Sequence, residues 1–478
     1  MREYLKFYID GKWVAPSEHN IVEVTNPATE KVSGKIALGT RTDVDKAVNA
    51  ARKAFTTWSR TTREERLAVL ERIQAEYQKR VGDLGAAIME EMGAPKALAN
   101  GFHVGLGAGH LGTAIEVLKK FHFEEQRGAT MIVKEPIGVC GMITPWNWPI
   151  NQVTVKVFPA LATGCTVVLK PSQESHFSAV ILAEIFDAAK VPAGVFNMIQ
   201  GKGSVVGAAM ASHLGIDMIS ITGSEAAGIE VARSAAATVK RVCQELGGKS
   251  ANIVLDDAAF AENVGKGVAG MMVNSGQTCS ATSRMLVPKA RMKEAIEVAR
   301  KAAAGVTVGD PTGDFAMGPV VSKAQFNSIQ DYIHQGVKEG ATLVAGGAGR
   351  PDGLDKGWYV KPTVFANVTN EMVIAREEIF GPVLVIIGYD SEDQAVQIAN
   401  DSDFGLAGNV AGQDLGKARN IARQIRAGWV SINDGFDFHA AFGGYKRSGN
   451  GREWGEFGFH EYLEVKSLLG YEPPKPAQ

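Results

Sequence analysis

Cysteine is scarce in this 478-residue chain: Cys140, Cys165, Cys243 and Cys279 are all it has. Four thiols so widely spread exclude a disulfide framework and a thiolate metal site, and no metal centre is expected. Their default role is that of small buried hydrophobes. Long apolar runs are missing too. None approaches the roughly 18 residues of a membrane helix, and the N-terminus, Met1-Arg-Glu-Tyr-Leu-Lys-Phe-Tyr-Ile-Asp10, carries charges where a secretory signal needs an apolar stretch. A cytoplasmic location is expected. Excess charge of either sign is absent: 50 Lys and Arg stand against 52 Asp and Glu, a net charge of −2. With no clustered basic face, neither nucleic acid nor an anionic membrane is expected as a partner. Low-complexity tracts and repeats of solenoid period are also lacking.

What is present is apolar residue, 45% against 21% charged, in a chain long enough for two or three domains. Val44, Val48, Ala51 and Phe55 recur at near-helical spacing, as do Leu70, Ile73, Tyr77 and Val81. From about residue 131 the pattern changes. Short apolar runs at 137–143, 166–170, 194–200, 217–221 and 239–245 alternate with helix-length amphipathic segments, which implies a parallel sheet with crossover helices. A second series starts at 251–255 and passes through the Cys279 region, 284–288 and 381–389 to 428–433. Two open α/β sheets are expected. Between 119 and 136, Phe121, Phe123, Met131 and Val133 alternate around Gln126-Arg-Gly128, the pattern of a hairpin leaving the first domain.

The segments that carry chemistry are Cys243-Gln-Glu-Leu-Gly-Gly-Lys-Ser250 and Asn274-Ser-Gly-Gln-Thr-Cys-Ser280. They offer a base, Glu245, and a thiol, Cys279, each beside glycines that let a substrate reach the backbone. Position alone leaves Cys279 open to a structural role and Glu245 open to being a solvated strand end. The surrounding motifs weigh on that choice. Both segments, with Ile143-Thr-Pro-Trp-Asn-Trp-Pro149, Leu169-Lys-Pro-Ser172, Ile221-Thr-Gly-Ser224, Glu377-Glu-Ile-Phe-Gly-Pro382 and Phe442-Gly-Gly-Tyr-Lys-Arg-Ser-Gly-Asn-Gly-Arg-Glu453, resemble the signatures of NAD(P)-dependent aldehyde dehydrogenases. The resemblance covers essentially the whole chain.

It implies an α/β fold of the aldehyde dehydrogenase type. A Rossmann-like NAD(P)-binding domain would comprise 1–118 and 137–247, and a catalytic domain 248–448. A small β oligomerisation arm, 119–136 with 455–478, would build a homo-oligomer, dimer or tetramer. The resemblance also assigns roles. Cys279 attacks the aldehyde, because a planar carbonyl gives up no hydride until it becomes a tetrahedral hemithioacetal. Asn147 and the Cys279 backbone N–H hold the oxyanion. Glu245 activates the water that hydrolyses the thioester, and Lys156 with Glu453 relays its proton.

For the cofactor, NAD with NADP also accepted, the expected contacts are Ile143, Thr144, Pro145 and Trp146 at one strand end, and Lys170, Ser172 and Gln173 at another. Gly203 and Gly207 belong to a glycine run one residue too long for the dinucleotide fingerprint. Thr222, Gly223, Ser224 and Ala227 lead into a helix N-terminus suited to the pyrophosphate. Leu246, Gly247, Glu378 and Phe380 complete the nicotinamide end. Many NAD-preferring relatives have a Glu where this chain has Gln173, so discrimination against a 2′-phosphate should weaken. By the same resemblance Trp148, Val155, Thr278, Ser280, Phe436, Phe438, His439 and Phe442 form the substrate lip, which suggests an apolar or aromatic aldehyde. His439 is either a hydrogen-bond donor to substrate or simply exposed. Two other readings are a CoA-acylating semialdehyde dehydrogenase, opposed by Glu245, and a non-catalytic role, opposed by the presence of Cys279, Glu245 and Asn147 together.

Overall fold

The computed structural model describes residues 1–472. The end of the expected arm, 473–478, lies outside that range. An eight-stranded and a seven-stranded sheet form its two centres. In the first, strands Val139–Ile143, Thr166–Lys170 and Met218–Thr222 are buried at every residue, which is why they read as continuous apolar runs. The chain moves outward from Val139–Ile143 to Thr166–Lys170 and Phe196–Met198. It then returns to the opposite side of Val139–Ile143 with Met218–Thr222 and Arg241–Glu245, all parallel. This reversal opens a crevice at the carboxyl ends of Val139–Ile143 and Met218–Thr222, the place where open α/β sheets bind ligands. Antiparallel strands close both edges: the hairpin Phe7–Ile9 and Lys12–Val14 on one side, Gly449–Asn450 on the other.

The second sheet runs Thr342–Ala345, Thr363–Ala366, Val383–Tyr389, Arg284–Pro288, Ala251–Val254, Ala407–Ala411, Trp429–Ile432, parallel except for the first strand. Ala407–Ala411 sits between two other strands although apolar-run reading passes over it. Its sequence, Ala-Gly-Asn-Val-Ala, has low strand propensity and is held by burial between those neighbours. The early helices are Arg41–Trp58 and Arg63–Lys79. Val81 does not close the second of these; it opens a third, Val81–Met92, after a break at Arg80 (φ −113°).

The hairpin pairs Glu124–Arg127 with Thr130–Pro136 around Gly128, whose φ of 57° suits glycine. It starts later than 119 because helix Val104–Lys120 runs into that stretch. Leu463–Leu469 adds a third, antiparallel strand on Thr130–Pro136, and its outer edge has no partner among the described residues. Val465 and Leu469 on it are 67% and 82% exposed. No helix among the described residues is long and apolar enough to cross a membrane.

Candidate active site

A cavity of about 500 Å³ occupies the crevice of the first sheet. Its walls are the strand ends and the first residues beyond them: Ile143, Thr144, Pro145 and Trp146; Lys170, Ser172 and Gln173; Thr222, Gly223, Ser224 and Ala227; Leu246 and Gly247; and, from the second domain, Glu378 and Phe380. Ser224 caps helix Glu225–Ala236, its hydroxyl accepting from the Ala227 N–H at 3.3 Å, so that helix points its N-terminus at the crevice. The hydroxyls of Thr144 and Thr222 are buried without hydrogen-bond partners among the described residues. Lys170 donates from Nζ to the Pro171 carbonyl (2.8 Å), and burial lowers its pKa to about 8. Glu378 accepts from the Gly248 N–H (2.9 Å), and burial pushes its carboxyl up to about 7. A Cβ on Gly247 would stand 2.5 Å from Glu378 Oε2, so a side chain there would push the Glu378 carboxylate aside.

Gly203 and Gly207, expected here, are not in the wall. They open and close a single π-helical turn, Gly203–Gly207, and a Cβ on Gly203 would meet open space. Glu174 and Gln325, which the motifs did not single out, are in the wall. Glu174 follows Gln173 directly in the chain, and burial raises its carboxyl pKa.

Cys279 lies where this cavity meets a second one of about 370 Å³. The turn leading to it is unusual: Asn274, Ser275 and Gly276 have φ of 55°, 55° and 70°. Two consecutive non-glycine residues in the left-handed region need compensation, and buried hydrogen bonds supply it. Asn274 Nδ2 donates to the Asn147 carbonyl (2.8 Å), Ser275 Oγ to the Gly318 carbonyl (2.8 Å), and Gln277 Oε1 accepts from the Val321 N–H (2.9 Å). Asn147 Nδ2 donates to the Gln277 carbonyl (3.1 Å), and Trp148 Nε1 to Thr278 Oγ1 (3.0 Å). Asn147 is thus tied to the cysteine loop in both directions. Burial, with Glu378 and Glu245 adding repulsion, pushes the Cys279 thiol up to about 12.

His103 completes this network. It ends a π-helical turn, Ala99–His103, stacks on Trp148 at 4.2 Å, and meets Asn274 Oδ1 through Nε2 at 3.2 Å. Burial lowers its pKa to about 3, so the ring is neutral and donates. No local motif points to His103; only the π-bulge, a feature common at functional sites, marks it.

Glu245 ends its strand in the wall of the second cavity, and both its carboxylate oxygens lack hydrogen-bond partners among the described residues. Burial first, then the nearby Glu453 carboxylate, hold its pKa well above the usual range, with Lys156 opposing. Lys156 is fully buried, paired with Glu453, and donates to Ser220 Oγ at 3.1 Å. Three of the expected groups therefore form one buried charged cluster.

The second cavity is walled mainly by Phe102, Leu106, Trp148, Trp429, Phe436, Phe442 and Trp454, with Thr278 and Ser280 at the Cys279 end. Three lip expectations are corrected. Val155 is packed behind the wall against Leu406, Phe442 and Trp454. Phe438 packs on the far side, edge-on to His110 at 5.3 Å. His439 turns outward to Glu116, with Nε2 3.3 Å from the carboxylate. Phe102 and Leu106 come from the helical segment of the first domain, and Trp454 adopts φ 71°.

The profile of the aldehyde dehydrogenase family matches residues 13–468. A 3-succinoylsemialdehyde-pyridine dehydrogenase of a Pseudomonas species is 53% identical over 475 residues, 99% of this chain and 100% of that protein. Among solved structures, aldehyde dehydrogenase C of Pseudomonas syringae, a cysteine-to-alanine mutant complexed with NAD+ and octanal, superposes with a TM-score of 0.97 at 51% identity, covering 98% of this chain and 97% of that one. A Mycobacterium tuberculosis aldehyde dehydrogenase complexed with NAD+ gives 0.95 at 40% identity, covering 100% and 99%. The chain belongs to the aldehyde dehydrogenase family and is an NAD(P)-dependent oxidoreductase that converts an aldehyde to an acid.

Proposed function

We propose that this chain oxidises aldehydes with an apolar or aromatic body, using Cys279 as nucleophile and Glu245 as the base that releases the acid. The observation that carries the reading is the meeting of two cavities at Cys279, one walled by strand ends and a capped helix N-terminus, the other by aromatic rings. The residues fit a dinucleotide: Ser224 and its helix for the pyrophosphate, Lys170 and Gln173 for the adenosine ribose, Glu378 for the nicotinamide ribose, and the unpartnered Thr144 and Thr222 hydroxyls for the polar atoms between. When bound, the dinucleotide would supply the hydride acceptor.

The protein groups do the rest. A thiol raised by burial to about 12 is protonated at neutral pH, so forming the nucleophile requires the thiol to give up its proton first. Attack on the aldehyde carbon puts negative charge on its oxygen. Asn147 Nδ2, which spends one N–H on Gln277, has a second for that oxygen, beside the Cys279 backbone N–H. Once a thioester stands on Cys279, Glu245 takes a proton from water, and Glu453 with Lys156 carries it onward. The acid leaves and the thiol is restored.

The octanal bound by the Pseudomonas syringae enzyme and the pyridine-bearing substrate in the name of the Pseudomonas relative both have apolar or aromatic bodies, in keeping with this cavity. The test is NADH formation with octanal and an aryl aldehyde, with and without CoA. Cys279→Ala is expected to abolish turnover while NAD+ binding by fluorescence quenching persists. Turnover by that variant, or turnover that depends on CoA, would overturn the reading. The strand edge of Leu463–Leu469 supports a homo-oligomer built by strand pairing.

A further inference from the structure

One wall of the substrate cavity differs from the rest. Aromatic and aliphatic side chains make up much of the lining, Glu245, Glu453, Asp434 and the hydroxyls of Thr222, Thr278 and Ser280 make up the rest of its polar part, and helix Pro149–Thr163 turns two carboxamides into it, Asn151 and Gln152. Both residues are buried, at 9% and 6% exposure. Asn151 is held in place by His110, whose Nε2 lies 2.7 Å from Asn151 Oδ1. Burial lowers the His110 pKa to about 4, so the ring is neutral. An amide oxygen only accepts, so His110 carries its proton on Nε2, and the Asn151 NH2 group has no hydrogen-bond partner among the described residues. The Gln152 carboxamide has no hydrogen-bond partner among the described residues and opens to the same cavity.

Buried amide donors facing an apolar space are costly once water is expelled. A saturated alkyl chain that fills this cavity removes the water and returns nothing to the two amides. A substrate with an oxygen acceptor at that point returns a hydrogen bond. Glu245, Glu453 and Asp434 line the same cavity, so a carboxylate on the aldehyde's tail would be disfavoured and a neutral oxygen is what the wall suits.

We infer that Asn151 and Gln152 recognise a neutral carbonyl oxygen on the substrate's own chain, which makes oxo-aldehydes with an apolar or aromatic tail the preferred substrate class over plain alkanals. This rests on the reading of the second cavity as the substrate site. The position of that oxygen along the substrate comes from the helix. Trp148 is anchored beside Cys279 through Thr278 (3.0 Å), and Asn151 and Gln152 stand about one turn, ~5 Å, further on. The oxygen therefore belongs a few bonds beyond the aldehyde carbon.

The experiment compares kcat/KM for octanal with that for 4-, 5- and 6-oxooctanal, on the full-length enzyme and on the Gln152→Met and Asn151→Leu variants, read by NADH formation. At least one oxo-aldehyde is expected to exceed octanal by about tenfold on the unmodified enzyme, as one recovered hydrogen bond of ordinary strength implies. The difference should lie in KM more than kcat, and each substitution should narrow it by raising octanal and lowering the oxo-aldehyde. Octanal within about twofold of every oxo-aldehyde, or a gap that survives both substitutions, overturns the inference. Should a variant fail to fold, shown by loss of a cooperative melt, the ranking on the unmodified enzyme decides alone. Turnover of no aldehyde in the series would instead refute the proposed function on which the inference stands.

Discussion

His103→Phe isolates the support of the oxyanion site from the chemistry itself. Phenylalanine keeps the stack on Trp148, whose ring centroid lies 4.2 Å away, and removes only the donor that meets Asn274 Oδ1 at 3.2 Å. The Asn274 amide oxygen is then buried without a partner, a loss of roughly 1–3 kcal/mol. Asn274 is in the left-handed region at φ 55°, and its own Nδ2 holds the Asn147 carbonyl at 2.8 Å. Relaxation of this residue therefore moves Asn147. Complete removal of an oxyanion donor costs about 10²–10³ in kcat, so partial misplacement should cost about 10- to 100-fold. KM for NAD+ should hardly change, because His103 is not in the cofactor cavity wall. The ring is neutral down to about pH 3, so the shape of the kcat pH profile should stay the same while its height falls. His103→Gln, whose amide can still donate, should recover much of the loss. The assay is steady-state NADH formation across neutral and alkaline pH, paired with a thermal melt. A folded His103→Phe enzyme with unchanged kcat would refute the proposed coupling of His103 to Asn147.

Glu245→Gln should keep a first-turnover burst of NADH while the steady state collapses; stopped-flow traces that lose neither phase would remove Glu245 as the deacylating base, and loss of both would make it the base for Cys279 as well. In the unmodified enzyme, thiol and carboxyl are both raised by burial, so both working forms increase with pH and kcat/KM should rise on the alkaline side; a profile falling above neutrality would contradict this. Gln173→Glu should lower kcat/KM for NADP+ more than for NAD+, and Glu174→Gln should do the reverse; equal effects on both cofactors would show that neither faces the adenosine ribose. Sedimentation should find a dimer or tetramer at micromolar concentration, and a stable monomer would leave the exposed edge of Leu463–Leu469 unexplained.

The buried parallel strands were legible because a strand covered on both faces must be apolar throughout, as in Thr-Val-Val-Leu at 166–169. Ala407–Ala411 was not, since its burial comes from neighbours elsewhere in the chain. The same division runs through the site. Cys279, Glu245 and Asn147 each sit in a short stretch whose glycines and prolines set the local backbone, so sequence motifs could carry them. Phe102 and His103 had no such signal: the His103 partner is 171 residues away, and the π-turn that aims both side chains has no motif of its own.

Side-chain direction was the hardest thing to read. Val155 and Phe438 have the apolar character of cavity residues, but their elements turn them into the packing behind the wall, and His439 finds Glu116 outside it. Asn151 and Gln152 illustrate the converse. Two adjacent amides in a helix ordinarily mark a solvated face, yet every residue of Pro149–Thr163 is buried. Polar groups at such positions need partners. His110 provides one for the Asn151 oxygen, and the cavity beside Cys279 is where the remaining donors must find theirs.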